Sequence, residues 1–216
     1  MKICSVPECN NKHFSNGFCS RHYQQIHKYG KIMSTNSRTQ KDPNEFIIDG
    51  DICWIILYNN KCEEISRTKF NLHHYETIKN FKWSLNSKGY PVTTWIDENG
   101  KHQGTLHQAV IQLLGITVPD DYEIDHKDQN PLNNLDENLR VCTFSQNQQN
   151  VKLQKRNKSG LKGINWNKRT KKWQVQITIS KKYKYLGSFK NKKDAIKTYN
   201  KAVILYYGEF AVLNNI

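Results

Sequence analysis

The sequence predicts an α+β protein built from several small modules rather than one compact domain. Three observations point that way. Apolar residues make up only 37% of the 216-residue chain, and the mean hydropathy of −0.80 is low for a single core. Segments of strand period alternate with short stretches of helical period along most of the chain. The charge is segregated: residues 151–216 hold 15 Lys and 2 Arg against Asp194 and Glu209 alone, so the whole excess of +14 sits in the last third. Scattered lysines usually make a solvated surface, but segregation this complete predicts a polyanion-binding module joined to a near-neutral one.

The chain opens MKICSVPEC, without the apolar region of a secretion signal. No apolar run approaches the ~20 residues that a membrane span needs. The expectation is therefore a soluble, intracellular, non-secreted chain with no membrane association, whose cysteines stay reduced. Cys4, Cys9, Cys19 and His22 are spaced C-x4-C-x9-C-x2-H. Thiolates and an imidazole suit tetrahedral Zn²⁺, and a segment this short has no other way to hold itself together. Residues 1–32 thus read as a zinc-knuckle-like module, with unliganded cysteines as the alternative. Gly17 would help the turn that presents the second ligand pair, and His13 and His27 read as surface residues. Residues 33–44 lack apolar period and read as a linker.

Residues 45–150 begin with FIIDGDICWIILY, two apolar strands around Asp49-Gly50-Asp51. Glu63 to Thr68 reads as a third strand, and Phe70, Leu72, Tyr75 and Ile78 as a short helix before Trp83. The next piece predicts two strands, a turn at Glu98-Asn99-Gly100 and a helix from Leu106 to Leu114. Cys53, Cys62 and Cys142 read as buried thiols.

The stretch IDHKDQNPLNNLDENLRVCTFSQNQQN, residues 124–150, predicts strand, loop, strand and helix. Leu139 to Thr143 is the second strand, and Thr143 with Gln146 is a helix N-cap pair. Such a layout gathers Asp125, His126, Asn138 and Asn147. Histidine can act as a base near neutral pH, and carboxylate and amide oxygens are hard ligands suited to Mg²⁺. The bland alternative is a polar hairpin, and turn formation is the expected role of Asn130, Asn133 and Asn134. The stretch resembles the core of the HNH homing endonucleases, whose ββα-metal motif runs DH, an NN-containing loop, NLR and a final ligand. The resemblance implies Asp125 as a metal ligand, His126 as general base, Asn138 as the brace that orients the histidine, and Asn147 as the second ligand to Mg²⁺ or Mn²⁺. Many HNH enzymes have histidine at that last place. His107 matches a histidine often seen at this place in the family and reads as structural. The hairpins before the core resemble those that lead into it in homing enzymes, and the Cys/His knuckle resembles those at the front of phage-type HNH proteins.

Residues 151–160 are basic and apolar-poor, and read as a hinge or an arm along a phosphate backbone. Residues 161–216 predict a three-stranded antiparallel sheet packed on one helix. Trp173, Val175, Ile177 and Ile179 alternate with Gln174, Gln176, Thr178 and Ser180. Ile164 and Trp166 join the apolar face, and Ala195, Ile196, Tyr199, Ala202, Val203 and Tyr206 recur at helical spacing to cover it. The KGI start, KKWQVQI, YLGSF, DAIKTYNKA and GEFAVLN resemble the APETALA-type domain of plant ethylene-response factors. That resemblance implies major-groove docking on double-stranded DNA through Lys162, Asn165, Asn167, Gln176, Thr178, Tyr183 and Tyr185. The plant domains have several arginines where this chain has Asn or Thr, and a basic sheet that binds any nucleic acid is the alternative.

The expectation is a metal-dependent homing-type DNA endonuclease acting as a monomer, with no protein partner required. The rival readings are a DNA-binding regulator with an inactive nuclease core and an RNA-binding protein. The second is disfavoured because the open sheet face lacks the stacked aromatic pair of RNA readers.

Overall fold

The computed structural model describes residues 2–7, 9, 11–32, 38–97, 100–151, 153, 157–179 and 182–215. The chain forms two compact units, one of residues 1–42 with the 60–63 turn, the other of residues 43–59 and 64–216.

In the first unit, turns within residues 2–7 and 11–18 lead into helix α1 (Ser20–Tyr29). Gly17 adopts φ +84°, and a Cβ there would lie 2.9 Å from Ser5 Oγ, so only glycine fits this turn without strain. His13 is half-buried and accepts a hydrogen bond from the Gly17 amide, while His27 is exposed. Part of the expected linker, residues 33–37, lies outside the described residues.

The second unit begins with the antiparallel sheet β1 (Phe46–Asp49), β2 (Ile52–Tyr58) and β3 (Glu64–Asn71), in that order. A 3-10 turn at Leu72–His74 and the short helix α2 (Tyr75–Ile78) follow, with Phe70 belonging to β3 rather than to the helix. A second sheet holds β4 (Ser84–Leu85), β5 (Pro91–Asp97) and β6 (Gly100–Thr105), one short strand more than expected. The predicted 98–100 turn falls mostly on positions 98 and 99, outside the described residues. Helix α3 (Leu106–Leu113) buries Leu106, Val110 and Ile111. These pack with Cys53, Ile55, Leu57, Phe70, Ile78, Trp83 and Leu139 into the main core. Asn44, placed by the sequence in the linker, is buried: its amide donates to the Ile56 and Trp83 carbonyls and its oxygen accepts from the Trp83 amide. Cys53 and Cys142 are buried as expected. Cys62 is not: it is half-buried, in a turn at φ +64°.

The hairpin β7 (Tyr122–His126) and β8 (Leu139–Thr143) then runs into helix α4 (Phe144–Asn150). The Thr143 hydroxyl accepts from the Gln146 amide while the Gln146 side chain accepts from the Thr143 amide, the expected capping box. The long 127–138 loop lies along the outer edge of β3. The Lys69 amide donates to the Leu132 carbonyl and the Asn134 amide to the Lys69 carbonyl. The otherwise open edge of that sheet is thus closed by the loop.

The last sheet is β9 (Ile164–Asn167), β10 (Lys172–Ile179) and β11 (Lys182–Phe189), with β10 central. Helix α5 (Lys192–Tyr207) covers one face through Ala195, Ile196, Tyr199 and Val203, against Ile164, Val175 and Ile177. Tyr206, expected inside, is 42% exposed and meets Lys184. Tyr207 takes the inner place, four residues beyond Val203, and its hydroxyl bonds the Thr178 backbone. Gly163, at φ +64°, passes so close to Tyr199 that a Cβ would lie 2.3 Å from the ring. Among the described residues no helix is long and apolar enough to cross a membrane.

Candidate functional sites

Strand alternation sends Asp125 and His126 to opposite faces of β7. Both are buried. His126 Nε2 lies 3.1 Å from Asn134 Oδ1. Asn134 is fully buried, and its Nδ2 donates to Thr68 Oγ1 at 2.9 Å and to the Pro131 carbonyl at 3.2 Å. Those two donations fix which way the amide faces, so Oδ1 accepts from His126 Nε2–H and the lone pair of the imidazole resides on Nδ1. Asn134, expected only to shape a turn, is the residue that holds the histidine.

Asn138 braces the loop. Its Nδ2 donates to Asp128 Oδ1 at 3.0 Å and to the Asn133 carbonyl at 2.7 Å, and its Oδ1 accepts from the Asp128 amide. Burial works to raise the Asp128 carboxyl, yet hydrogen bonds from Asn133, the Asn130 amide and Asn138 hold it below its ordinary value. Burial pushes His126 down, and the Asn134 hydrogen bond with the Asp128 and Asp125 carboxylates pull it only part of the way back. The imidazole is therefore neutral at neutral pH, the form a base requires. His107 packs edge-on against it, ring centroids 5.2 Å apart, and Tyr90 packs on both rings. Burial, with the neighbouring His126, lowers His107 to about 3. Its Nδ1 is buried without a hydrogen-bond partner among the described residues.

Asp125 sits in a ring of donors. Arg140 Nε and Nη2 reach its Oδ2 at 2.9 and 2.7 Å, and Asn150 Nδ2 is 2.9 Å from both carboxylate oxygens. Asn147, one helical turn before Asn150, instead donates to Glu123 Oε2 at 2.5 Å. Glu123 precedes Asp125 by two residues and shares its face of β7. Asn147, Glu123 and His107 line one cleft of about 570 Å³. Asp125 does not line that cleft and is held by Arg140 and Asn150, whereas Glu123 and Asn147 stand in it and offer oxygens of the hard kind that Mg²⁺ or Mn²⁺ takes. Arg140, Asn150 and Glu123 escaped the reading of the sequence, with only the arginine's place in ENLR as a hint, and Asn134 entered it only as a turn former of the NN-containing loop.

Arg140 also joins this hairpin to the C-terminal module. Its guanidinium lies 3.6 Å above the Phe210 ring, and its Nη1 donates to the Glu209 carbonyl at 2.9 Å. Lys162, expected on DNA, directs its ammonium to the Gln149 and Val151 carbonyls, where burial lowers its pKa. Of the expected hinge, positions 152 and 154–156 lie outside the described residues.

On the C-terminal sheet, Gln176 is paired with Tyr185, Thr178 with Tyr183, and Asn165 with Gln174. Cross-strand partners share a face, so these side chains stand together on the side away from α5. Tyr183 and Tyr185 are 79% and 60% exposed, and Asn165, Gln176 and Thr178 are exposed as well. Asn167 Oδ1 instead accepts from the Arg169 and Thr170 amides in the β9–β10 turn. Gln176 and Thr178 border a groove of about 550 Å³ whose other wall includes Phe144 and Gln148 of α4.

In the N-terminal unit, Cys4 Sγ is 3.2 Å and Cys19 Sγ 3.6 Å from His22 Nδ1, and Cys9 Sγ is 3.9 Å from Cys19 Sγ. A tetrahedral Zn²⁺ with bonds of about 2.0–2.3 Å requires ligand atoms roughly 3.5–3.8 Å apart, which these separations approach. The four ligand atoms lie within 4.8 Å of one another. The residues fit a zinc ion.

Residues 107–149 match the family model described as HNH endonuclease. An uncharacterized HNH endonuclease of Acanthamoeba polyphaga mimivirus is 32% identical over 172 residues, spanning 79% of this chain and 85% of that protein. Protein 3.8 of Escherichia phage T7 is 43% identical over 76 residues, which is 35% of this chain and 63% of its own length. The matched segment contains β7, β8 and all of α4 except Asn150, with the buried His126, and the mimivirus likeness extends over most of the chain. This chain belongs to the HNH endonuclease family.

Proposed function

We propose that the protein is a homing-type endonuclease that hydrolyses a phosphodiester bond of double-stranded DNA with one divalent metal. The observation that supports this reading is the state of His126: buried, neutral, and held through Nε2–H by an asparagine whose own orientation is fixed. His126 Nδ1 is then the atom that takes the proton from the attacking water. Asn134 keeps the ring in that tautomer, and Asn138 keeps the loop that carries Asn134 in shape. Asp125 and Asn147 would hold Mg²⁺ or Mn²⁺, with Glu123 on the same face. When bound, the cation neutralises charge on the phosphate and on the leaving oxygen. Arg140 and Asn150 restrain the Asp125 carboxylate, and Zn²⁺ at Cys4, Cys9, Cys19 and His22 organises the N-terminal unit.

In the same reading the C-terminal sheet selects the target. Asn165 and Gln176 are suited to adenine edges, and Thr178, Tyr183 and Tyr185 lie beside them on the open face. Lys162 and Asn167 are directed to their own chain and shape the module.

Supercoiled plasmid incubated with the protein and Mg²⁺ should be nicked, and EDTA should stop the reaction. His126→Ala should lower the rate by about 10²–10⁴-fold, the range of general-base contributions, while duplex affinity stays unchanged. Cutting undiminished by EDTA, or equal loss of binding and cutting in the variant, would overturn the assignment.

A further inference from the structure

We propose a second transition-metal site at His73, His74 and Asp136, apart from both the Cys/His cluster and the nuclease centre. The two histidines are adjacent in sequence, in the 3-10 turn after β3, yet both direct Nε2 to one carboxylate. His73 Nε2 lies 3.0 Å from Asp136 Oδ2 and His74 Nε2 2.9 Å from Oδ1, with ring centroids 4.0 Å apart at 54°. The three donors form a tight group within 4.8 Å of one another. Neighbouring side chains ordinarily diverge, so two imidazoles meeting on one acid need a cause. Two hydrogen bonds hold them there, and a cation would attract both ring nitrogens and the carboxylate together.

The separations suit such an ion. Metal–nitrogen and metal–oxygen bonds of about 2.1 Å at right angles place neighbouring donors roughly 3.0 Å apart. Two imidazoles and one carboxylate at right-angled spacing select a borderline ion such as Co²⁺ or Ni²⁺ over Mg²⁺. Accessibility is right as well: the His74 side chain is 5% exposed, Asp136 23% and His73 60%, so one side remains open for water to complete the shell.

The position gives the ion a task. Asp136 starts the last turn of the 127–138 loop, and its amide already donates to Asn71 Oδ1 at 2.8 Å. A metal held by His73, His74 and Asp136 clamps that loop to the end of β3, and the loop carries Asn134 and Asn138. It therefore stiffens the support of His126 without touching it.

The test is metal stoichiometry in the full-length protein. Zinc should first saturate the cysteine cluster, and Co²⁺ should then be titrated in excess Mg²⁺ and followed by equilibrium dialysis with elemental analysis. Wild type should bind one Co²⁺ whose spectrum lacks thiolate charge-transfer bands. His73→Ala, at an exposed position, should weaken that Co²⁺ at least about tenfold and leave the zinc in place. Asp136→Asn should do the same, with circular dichroism showing an intact fold. In wild type alone, paramagnetic Co²⁺ should broaden the His73 and His74 ring resonances. Equal Co²⁺ binding by wild type and both variants, or no Co²⁺ bound by wild type, would overturn the site. Neither result bears on plasmid cleavage, which tests the nuclease reading separately.

Discussion

At the scale of single residues, burial shapes the candidate site as much as residue identity does. His107 shows the consequence for stability. Its folded-state value is lowered to about 3 by burial and by His126, while an unfolded histidine titrates near ~6.5. Below that pH the unfolded chain takes up a proton that the folded chain refuses, so stability is lost as pH falls through this window. His126 is lowered too and adds to the slope, and Tyr90 is the other group packed on the ring. Urea unfolding midpoints should therefore fall between about pH 7 and pH 5, and His107→Gln should remove part of that fall. An unchanged slope would show that the ring is not desolvated. The strand, loop, strand and helix that carry Asp125, His126, Asn138 and Asn147 were legible because each is a local pattern. Asn134 was not, because asparagine in a turn-rich loop has an ordinary explanation and nothing local tells which one is buried. Glu123 and Asn150 were equally silent, since their partners are set by how α4 lies on β7.

Elements tell a similar story at longer range. The strand alternation of β10 and the capping box of α4 are local patterns, and both were read correctly. The seating of the 127–138 loop on β3 joins residues more than 60 positions apart, such as Thr68 with Asn134. No periodicity encodes such a partnership, because it depends on which edge is left open once the sheet forms. The same limit placed Asn44 in the linker. A polar residue in a polar segment gave no sign that it would clamp β2 to Trp83. Asn44→Ala would leave two buried carbonyls and one amide unpaired, and should cost on the order of 3 kcal/mol in denaturant unfolding. A loss below about 0.5 kcal/mol would mean that water replaces the clamp.

For the whole molecule, the positive charge and the segment that matches the HNH endonuclease family lie in different parts of the chain. A fragment from Ser159 onward contains the complete second core of Leu161, Ile164, Val175, Ile177, Ala195, Ile196, Tyr199 and Val203. It should fold alone and bind duplex DNA with an affinity that falls steeply with salt, as phosphate contacts require. Residues 1–158 should bind much more weakly, and equal affinity of the two pieces would refute the division of labour. The segregation of charge was visible in composition alone, whereas the contact between the two parts was not.

That contact has a consequence for what the cut looks like. Arg140 grips Asp125 with one edge while lying on Phe210, and Lys162 fastens the start of the sheet module to the end of α4. The protein in this state resembles a caliper more than a blade on a tether. If the open sheet reads the target, the number of base pairs between the sequence read and the bond broken is set by the protein and not by the reach of a flexible chain. Inserting a few base pairs into that interval rotates the scissile phosphate away around the helix axis, so cleavage should fail rather than shift. Mapping cut positions on targets with stepped insertions would reveal it, and a cut that follows the insertion smoothly would show that the caliper opens.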